Sequence, residues 1–361
     1  MSGNEQPVTQ RAVYSARPTI EIDRTPLERV ALGLLALSVH ESEEGLAALE
    51  MRLANWASTP EGAEQAFDAG SPVALGAGVR VFVGPSGEQD LVFSGRISAI
   101  EAQVGQDLPP TIVVRAEDRL FAARLQRRSR LYENTSLGDL AQQVASQLGL
   151  TANVDLPNVT GLWAQFNESD LAFLRRVLAR FDCSVRIDEE TLVATRNVAA
   201  GGVTVDLSLY SQLQRVHVVA DLAHQSTRVT ASGWDGALGE RFNVESTGSQ
   251  LGAGSGRRGG DLLSQHFGER SEHLAALACA DEREAQALAH AAFDQRARHF
   301  VTARGTAEGN PRLRAGGFIA LSGLGARFDN TYEVAECVHR FDLTGGYQTD
   351  FVAHSAFIAA D

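Results

Sequence analysis

Residues 49–56, LEMRLANW, place apolar side chains at alternate positions, and strand-like runs recur along most of this chain. A period of two turns one side-chain face to a core and the other to solvent, which favours antiparallel sheets with one face wet. Residues 18–23, 30–40, 45–56, 79–83, 91–100 and 111–117 are expected as strands. Turn formers separate them at Gly84, Pro85, Ser86, Gly87 and at 107–110. A closed or sandwiched antiparallel sheet is the natural inference. Residues 118–126 then read as a short turn or strand leading out of it.

A helical unit follows. Ser136 can cap a helix striped by Leu137, Leu140, Val144 and Leu148, with Asp139 near its start and Gly149 ending it. After a loop, residues 165–182, QFNESDLAFLRRVLARFD, give an extended lead-in and a second helix. Asn167 or Ser169 can cap it, Glu168 and Asp170 set negative charge at its start, and Arg175, Arg176 and Arg180 fall in its later turns, all favourable to the helix dipole. Leu171, Leu174, Leu178 and Phe181 form the apolar stripe. Strands at 185–188 and 192–195 turn back through Glu189 and Glu190, which makes residues 131–200 a small α/β insertion domain.

Strands resume at 203–232, with 215–220 and 226–232 expected as a hairpin around His224 and Gln225. Residues 248–260 are glycine-rich without apolar periodicity and read as a flexible loop. Residues 281–300 are a helix with an Asp281 to Glu284 capping pattern and a stripe of Ala285, Leu288, Ala289, Ala292 and Phe293. Strands at 318–323, 331–340 and 348–356 close the chain. The fold class is α+β, mostly β. Its expected parts are a polar tail (1–16), a first β-domain (17–130), the insertion domain (131–200), a second β-domain (201–236 and 280–361) and a flexible loop insertion (237–279). The two β-domains share a plan of strands, one outlying element and more strands, without a visible sequence repeat.

At 361 residues and 44% hydrophobic content the chain has enough apolar surface for two or more cores. The apolar run 30–39 is far too short for a bilayer span, and residues 1–17 lack the apolar core of a secretory signal, so neither a membrane anchor nor export is expected. Cys183, Cys279 and Cys337 are odd in number and widely spaced, which argues for buried free thiols over disulfides or a thiolate metal cluster. The formal charge of −13 disfavours nucleic-acid recognition, although it suits a conduit through which DNA slides without sticking. All 32 basic residues are arginine. That removes the phosphate-loop lysine, Schiff-base chemistry and lysine general bases together.

Catalytic constellations fare no better. Residues 254–259, GSGRRG, match the dinucleotide spacing GxGxxG, yet polar loop precedes them where that motif needs a core strand. The nine histidines include no HExxH pair; His290 and His299 do not share a close helix face, and His217 and His339 sit in strand patterns. No serine lies in a GxSxG elbow. The acid pairs Glu43 with Glu44, Glu189 with Glu190 and Asp281 with Glu282 fall at turns or a helix start, where solvated acids are common, rather than across a cleft as glycoside hydrolysis needs. No catalytic, cofactor-binding or metal residues are assigned, and no cofactor is expected.

Several stretches carry a resemblance. Residues 165–182 resemble the "ESD…FL.R" segment of phage late control protein D, the hub of a contractile tail baseplate, and of the hub part of type VI secretion spike proteins. Residues 131–150 resemble the same family's helix before a "GL" stop. The stretch FVTARGTAEGNPRLRAGG is similar to its turn into a strand, and GARFDNTYEVAECVHRFDLTGGYQTDF to its closing strands. On this resemblance the marker residues are Asn167, Glu168, Ser169, Asp170, Phe173, Leu174, Arg176, Tyr332, His339, Tyr347 and Phe351. Asn330 stands where the family often has glycine, and asparagine tolerates the positive φ of a tight turn.

The resemblance implies two tube-like β-domains per chain and a homotrimer forming a ring of six similar units. That ring would join the hexameric tail tube protein to a separate spike protein, since the chain ends before the family's OB-fold and needle. Baseplate wedge proteins and the tape-measure protein are the further implied partners, with DNA only as passing cargo. The implied location is the tail baseplate of a virion or a contractile injection particle, made in the bacterial cytoplasm. The rival readings are a tail-associated peptidoglycan hydrolase and a nucleic-acid-binding module.

The stripe yields a first prediction. Leu174→Asp or Phe181→Asp should bury an unpaired charge and destabilise the insertion domain by several kcal/mol, of order ~3 or more. Thermal melting of both variants checks it; unchanged transitions would mean that the stripe is not packed.

Overall fold

The computed structural model describes residues 17–43, 45–59, 62–68, 70–84, 89–197, 203–236, 238–274, 279 and 281–359. The expected polar tail 1–16, the turn formers Pro85, Ser86 and Gly87, and Glu44 lie outside them.

The first module comprises β1 (Thr19–Ile22), β2 (Thr25–Pro26), α1 (Glu28–Gly33), β3 (Leu34–Ser42), β4 (Ala48–Ala54), β5 (Ala57–Thr59), β6 (Gly62–Glu64), β7 (Gly78–Val83), β8 (Asp90–Gln103), β9 (Thr111–Glu117) and α2 (Phe121–Arg124). Two expectations change here. Residues 30–33 are helical instead of opening a strand, because Pro26 stops β2 and residues 28–33 are mostly good helix formers. Residues 118–126 hold the short helix α2, started by Asp118, whose carboxylate accepts from Leu120 N and from Ala47 N, both at 2.8 Å. Ile20, Val39, Met51, Val81, Val92 and Val114 lead the core of this module.

The insertion module follows as β10 (Arg127–Ser136), α3 (Leu137–Gln147), β11 (Thr151–Asp155), β12 (Thr160–Ser169), α4 (Asp170–Ala179), β13 (Cys183–Asp188) and β14 (Thr191–Arg196). Ser136 and Asp139 close a capping box on α3. Residues 160–164, expected as loop, join the extended lead-in at 165–169 in one strand: β10 and β12 form a two-stranded ribbon, and β11-β14-β13 a small sheet. Trp163 packs edge-on to Phe181 and Tyr132 stacks on Phe173, so the ribbon's inner face closes the core beneath α3 and α4.

The second module contains β15 (Thr204–Ser208), β16 (Leu213–Ala220), β17 (Arg228–Asp235), β18 (Glu240–Ser246), β19 (Arg257–Arg258), α5 (Gly259–Phe267), β20 (Ser271–Leu274), α6 (Glu282–Arg298), β21 (Val301–Glu308), β22 (Phe318–Ser322), β23 (Asn330–Asp342), β24 (Gly346–Ser355) and β25 (Phe357–Ile358). The expected hairpin of 215–220 with 226–232 does not form. β16 pairs β21 instead, and β17 pairs β18 and β20, because tertiary burial under α6 outweighs chain proximity. Residues 237–279, expected as a flexible loop, carry β18, β19, α5 and β20. Nor does Asn330 supply a positive φ; its side chain accepts from Ser255 N at 3.0 Å and donates to Ser255 O at 2.9 Å.

One open 13-stranded sheet unites the first and second modules, and no barrel closes among the described residues. The first module runs β3-β4-β9-β8-β7-β1 in space and the second β16-β21-β24-β23-β22-β15. Spatial order and chain order therefore match strand for strand, pairing β1 with β15, β3 with β16, β4 with β21, and the meander β7-β8-β9 with β22-β23-β24. The bulges match as well. β3·β4 slips between Leu34 and Ala36 and β16·β21 between Leu213 and Arg215; β8·β9 slips between Ile97 and Ala99 and β23·β24 between Val334 and Glu336. Bulges bend strands, so the repeat preserves curvature as well as connectivity. It departs in two places, as β1 joins β7 antiparallel whereas β15 joins β22 parallel, and β7·β8 slips between Val81 and Phe82 where β22·β23 runs without a slip. The plan shared by the two halves is thus a topological repeat, fused where residues 36–42 of β3 pair residues 336–342 of β23.

Gly45, in the turn after β3, docks the insertion module. Its φ is +71° and an added Cβ would lie 2.1 Å from Val185 O. Gly45→Ala should therefore cost about 2–4 kcal/mol through strain and overpacking, read as a lower melting temperature, whereas alanine at open Gly70 should not share the clash.

Candidate functional site

Two buried charge networks sit where the modules meet. The first spans the β3·β23 seam. Arg314, in the turn before β22, grips both carboxylate oxygens of Glu41 on β3, with Nε at 2.8 Å from Oε2. Its Nη1 donates to Leu91 O at 3.1 Å, so one guanidinium ties a second-module loop to β3 and β8. Burial alone would raise Glu41, but the Arg314 charge and hydrogen bonds overcome it and hold the carboxyl below its ordinary value. Next to it on β23, His339 is fully buried and bonded through Nδ1 to Tyr347 Oη at 2.9 Å and Thr349 Oγ1 at 3.3 Å. Burial lowers its pKa to about 4, so the ring is neutral at physiological pH.

Glu41, Cys337 and His339 approach one another closely enough to suggest a metal set. The chemistry is against it. Arg314 already occupies Glu41, and burial holds the Cys337 thiol protonated, well above its usual range. The cluster is a structural polar seam.

The second network joins all three modules. Arg298, at the end of α6, makes a two-pronged ion pair with Asp182, which follows α4; Nη2 to Oδ1 is 2.6 Å. Asp182 takes a positive φ of 55°, which short polar residues tolerate, and also accepts from Asn197 Nδ2 at 2.9 Å. Arg298 Nε stands 3.6 Å from Glu333 Oε2 on β23, and Glu43 adds a third nearby carboxyl. Burial would depress the Arg298 pKa, yet Asp182, Glu333 and Glu43 reverse that and raise it. One guanidinium cannot neutralise three acids. Glu333 is 2% exposed and neither of its oxygens has a hydrogen-bond partner, and burial pushes it up to about 8 and Glu43 to about 7. The site therefore stores protons at neutral pH.

The residues marked by sequence fall into these surroundings unevenly. Tyr347 and His339 meet directly in the seam, while Tyr332 and Phe351 lie in the second-module core. The helix markers gather in the insertion module. Ser169 caps α4 through Ala172 N, Asp170 is buried against Gln165 and 3.4 Å from Arg128, and Phe173 and Leu174 are core. Glu168 and Arg176 form an ion pair beside Asn167, whose φ is +47°. Sequence reasoning missed Glu41, Asp182, Arg298 and Arg314. None lies in a motif with recognisable spacing, and their pairing spans separations as long as Glu41 to Arg314.

The family model for the Alg8 N-terminal domain matches residues 58–342. The chain belongs to the Alg8 N-terminal domain family. No curated protein matches the sequence. Among solved structures, the 43 kDa tail protein of prophage MuSo2 from Shewanella oneidensis superposes with a TM-score of 0.66 at 14% identity, covering 93% of this chain and 97% of that one. A tail protein from Neisseria meningitidis gives 0.64 at 11% identity over 95% and 96%. An Escherichia coli component of the type VI secretion system, described as structurally similar to bacteriophage T4 tail proteins gp27 and gp5, gives 0.54 at 14% identity over 95% and 77%. The fold of this chain is thus shared with phage tail proteins and a type VI secretion component, the class to which the sequence motifs point.

The wet face of the sheet carries a third pattern. Arg215 Nε donates to Thr306 Oγ1 at 2.9 Å, Thr306 to Asp350 at 2.5 Å, and Arg340 Nε lies 2.7 Å from Asp350. Across the seam, Arg340 faces Ser38, Ser38 faces Glu50, and Arg115 bridges Glu50 at 2.9 Å and Glu101 at 3.3 Å. This polar row crosses eight strands with its arginines and acids balanced, although the whole chain carries −13.

The proton store gives a pH prediction. Because the folded pKa of Glu333 and Glu43 exceeds the ordinary 4.5, the folded state binds more protons between that value and about 8, and stability falls as pH rises through that window. Glu333→Gln keeps the shape without the charge. It should flatten that fall and stabilise by about 1–3 kcal/mol above pH ~8, read from melting temperatures of variant and parent across the pH range.

Proposed function

We propose that the chain is a structural hub subunit of a contractile tail baseplate. In this reading it acts as a homotrimer joining the hexameric tail tube to a spike on a separate polypeptide, without catalytic chemistry. The observation that carries the reading is the register-matched repeat fused at the β3·β23 seam. Two equivalent modules in one chain let three chains present six similar units, so a threefold part can mate with a sixfold tube. Extensive overlap with tail proteins from two bacteria adds support at the level of fold.

The networks suit mechanical work. Arg314 and Arg298 fix the angles between modules by multiply bonded ion pairs, the first half-buried and the second buried, which specify geometry more than they add stability. The polar row would face the bore, past which the tape-measure end and DNA travel. Its balanced charges revise the acidic lining expected from net charge: the face neither attracts nor strongly repels a polyanion. Wedge proteins would grip the outside, and the assembled particle is the site of action.

Light scattering of the purified chain, alone and with its tube and spike partners, tests this. A trimer that binds both is expected. A persistent monomer that binds neither overturns it, and release of cell-wall fragments by the purified protein, abolished by a single carboxylate change, would replace it with the hydrolase reading.

A further inference from the structure

Among the described residues, two of the unfilled strand edges are equivalent by the repeat to strands already joined. β16 ends the sheet and pairs only β21. β8 pairs β7 no further than Arg96, so residues 97–103 have β9 on one side and no strand on the other among the described residues. Residues 100–109 are exposed without interruption, forming an arm that carries Ile100 and Val104 in solvent. Such an edge is a template for another strand. These two edges are also the equivalents of the strands already joined inside the chain, as β16 corresponds to β3 and β8 to β23.

We infer that β16 of one copy pairs antiparallel with the β8 arm of the next, in the register by which β3 pairs β23 within each chain. Closure with three copies rests on the trimeric reading above. The bulges fix the alignment. Ala36 and Arg215 follow equivalent bulges, as do Glu336 and Ala99. Ala36 pairs Asp342, six positions past Glu336, so Arg215 falls opposite Gly105, six past Ala99. The rest of the ladder follows: Val216 opposite Val104, His217 opposite Gln103, Val218 opposite Ala102, Val219 opposite Glu101 and Ala220 opposite Ile100.

The side chains agree with this register. Val216, Val218 and Ala220 share one face of β16 and meet Val104, Ala102 and Ile100, apolar against apolar. Polar Gln103 and Glu101 fall on the other face, that of Arg215, His217 and the polar row. Glu101 then lies opposite exposed Val219, beside His217, whereas a slip of one residue would carry Gln103 and Glu101 onto the face of Val216 and Val218, which pack on the core, so the pattern favours one pairing. Charge agrees too. A cleft of about 780 Å³ beside β16 contains Arg270, Arg296 and Arg304 against the acids Asp221 and Glu272, while the arm carries Glu101 and Asp107.

The test uses the full chain with Val104→Cys and Val216→Cys combined, placed directly opposite in the expected ladder where a disulfide can close. Oxidation with copper phenanthroline should give a thiol-reversible covalent trimer from the double variant and from neither single one. Val104→Asp, exposed in the isolated chain, should leave monomer melting unchanged and weaken association at least tenfold. A trimer that persists with Val104→Asp and yields no cross-link overturns the strand pairing while leaving the trimer intact. A parent chain that stays monomeric overturns the trimeric reading itself.

Discussion

Every strand edge is a row of peptide donors and acceptors that must find partners or water, and the β3·β23 seam is where this chain meets that requirement internally. Without the seam the molecule would be two sheets with two more bare edges. With it, curvature set by four matched bulges runs through one continuous surface. The main cores of the first and second modules are built on that surface, and the insertion module hangs from the linkage after β9. The seam thus orders the remaining architecture.

Burying charges beside such a seam is costly unless they are multiply bonded. Arg314 and Arg298 meet that condition differently. Arg314 finds a single carboxylate and a carbonyl, so its one positive charge meets one negative charge. Arg298 faces an excess of acid, and burial answers it by retaining protons on Glu333 and Glu43. The first network is a fixed clamp, whereas the second changes character across neutral pH.

Much of the fold was legible from local pattern. The period of two located β4, β7, β8 and β9, and the capping residues Ser136, Ser169 and Asp281 marked the starts of α3, α4 and α6. What escaped depends on partners distant in sequence. Nothing local distinguishes 215–220 pairing with 226–232 from its actual pairing with β21, and β21 itself was hidden between a helix and a turn. Glycines around 254–259 looked mobile, yet Gly256 sits against Ile358 O where no side chain would fit, so that composition reflects close backbone approach. The ion pairs were illegible because single charged residues carry no periodicity.

The repeat also has a kinetic meaning. A seam within one chain forms at the effective concentration set by its connection and does not dissolve on dilution. A seam between chains must be assembled by encounter. Carrying two equivalent modules on one polypeptide therefore halves the number of encounters needed for a given number of modules. It also frees β3 and β16 to vary independently, because equivalent edges no longer share a sequence.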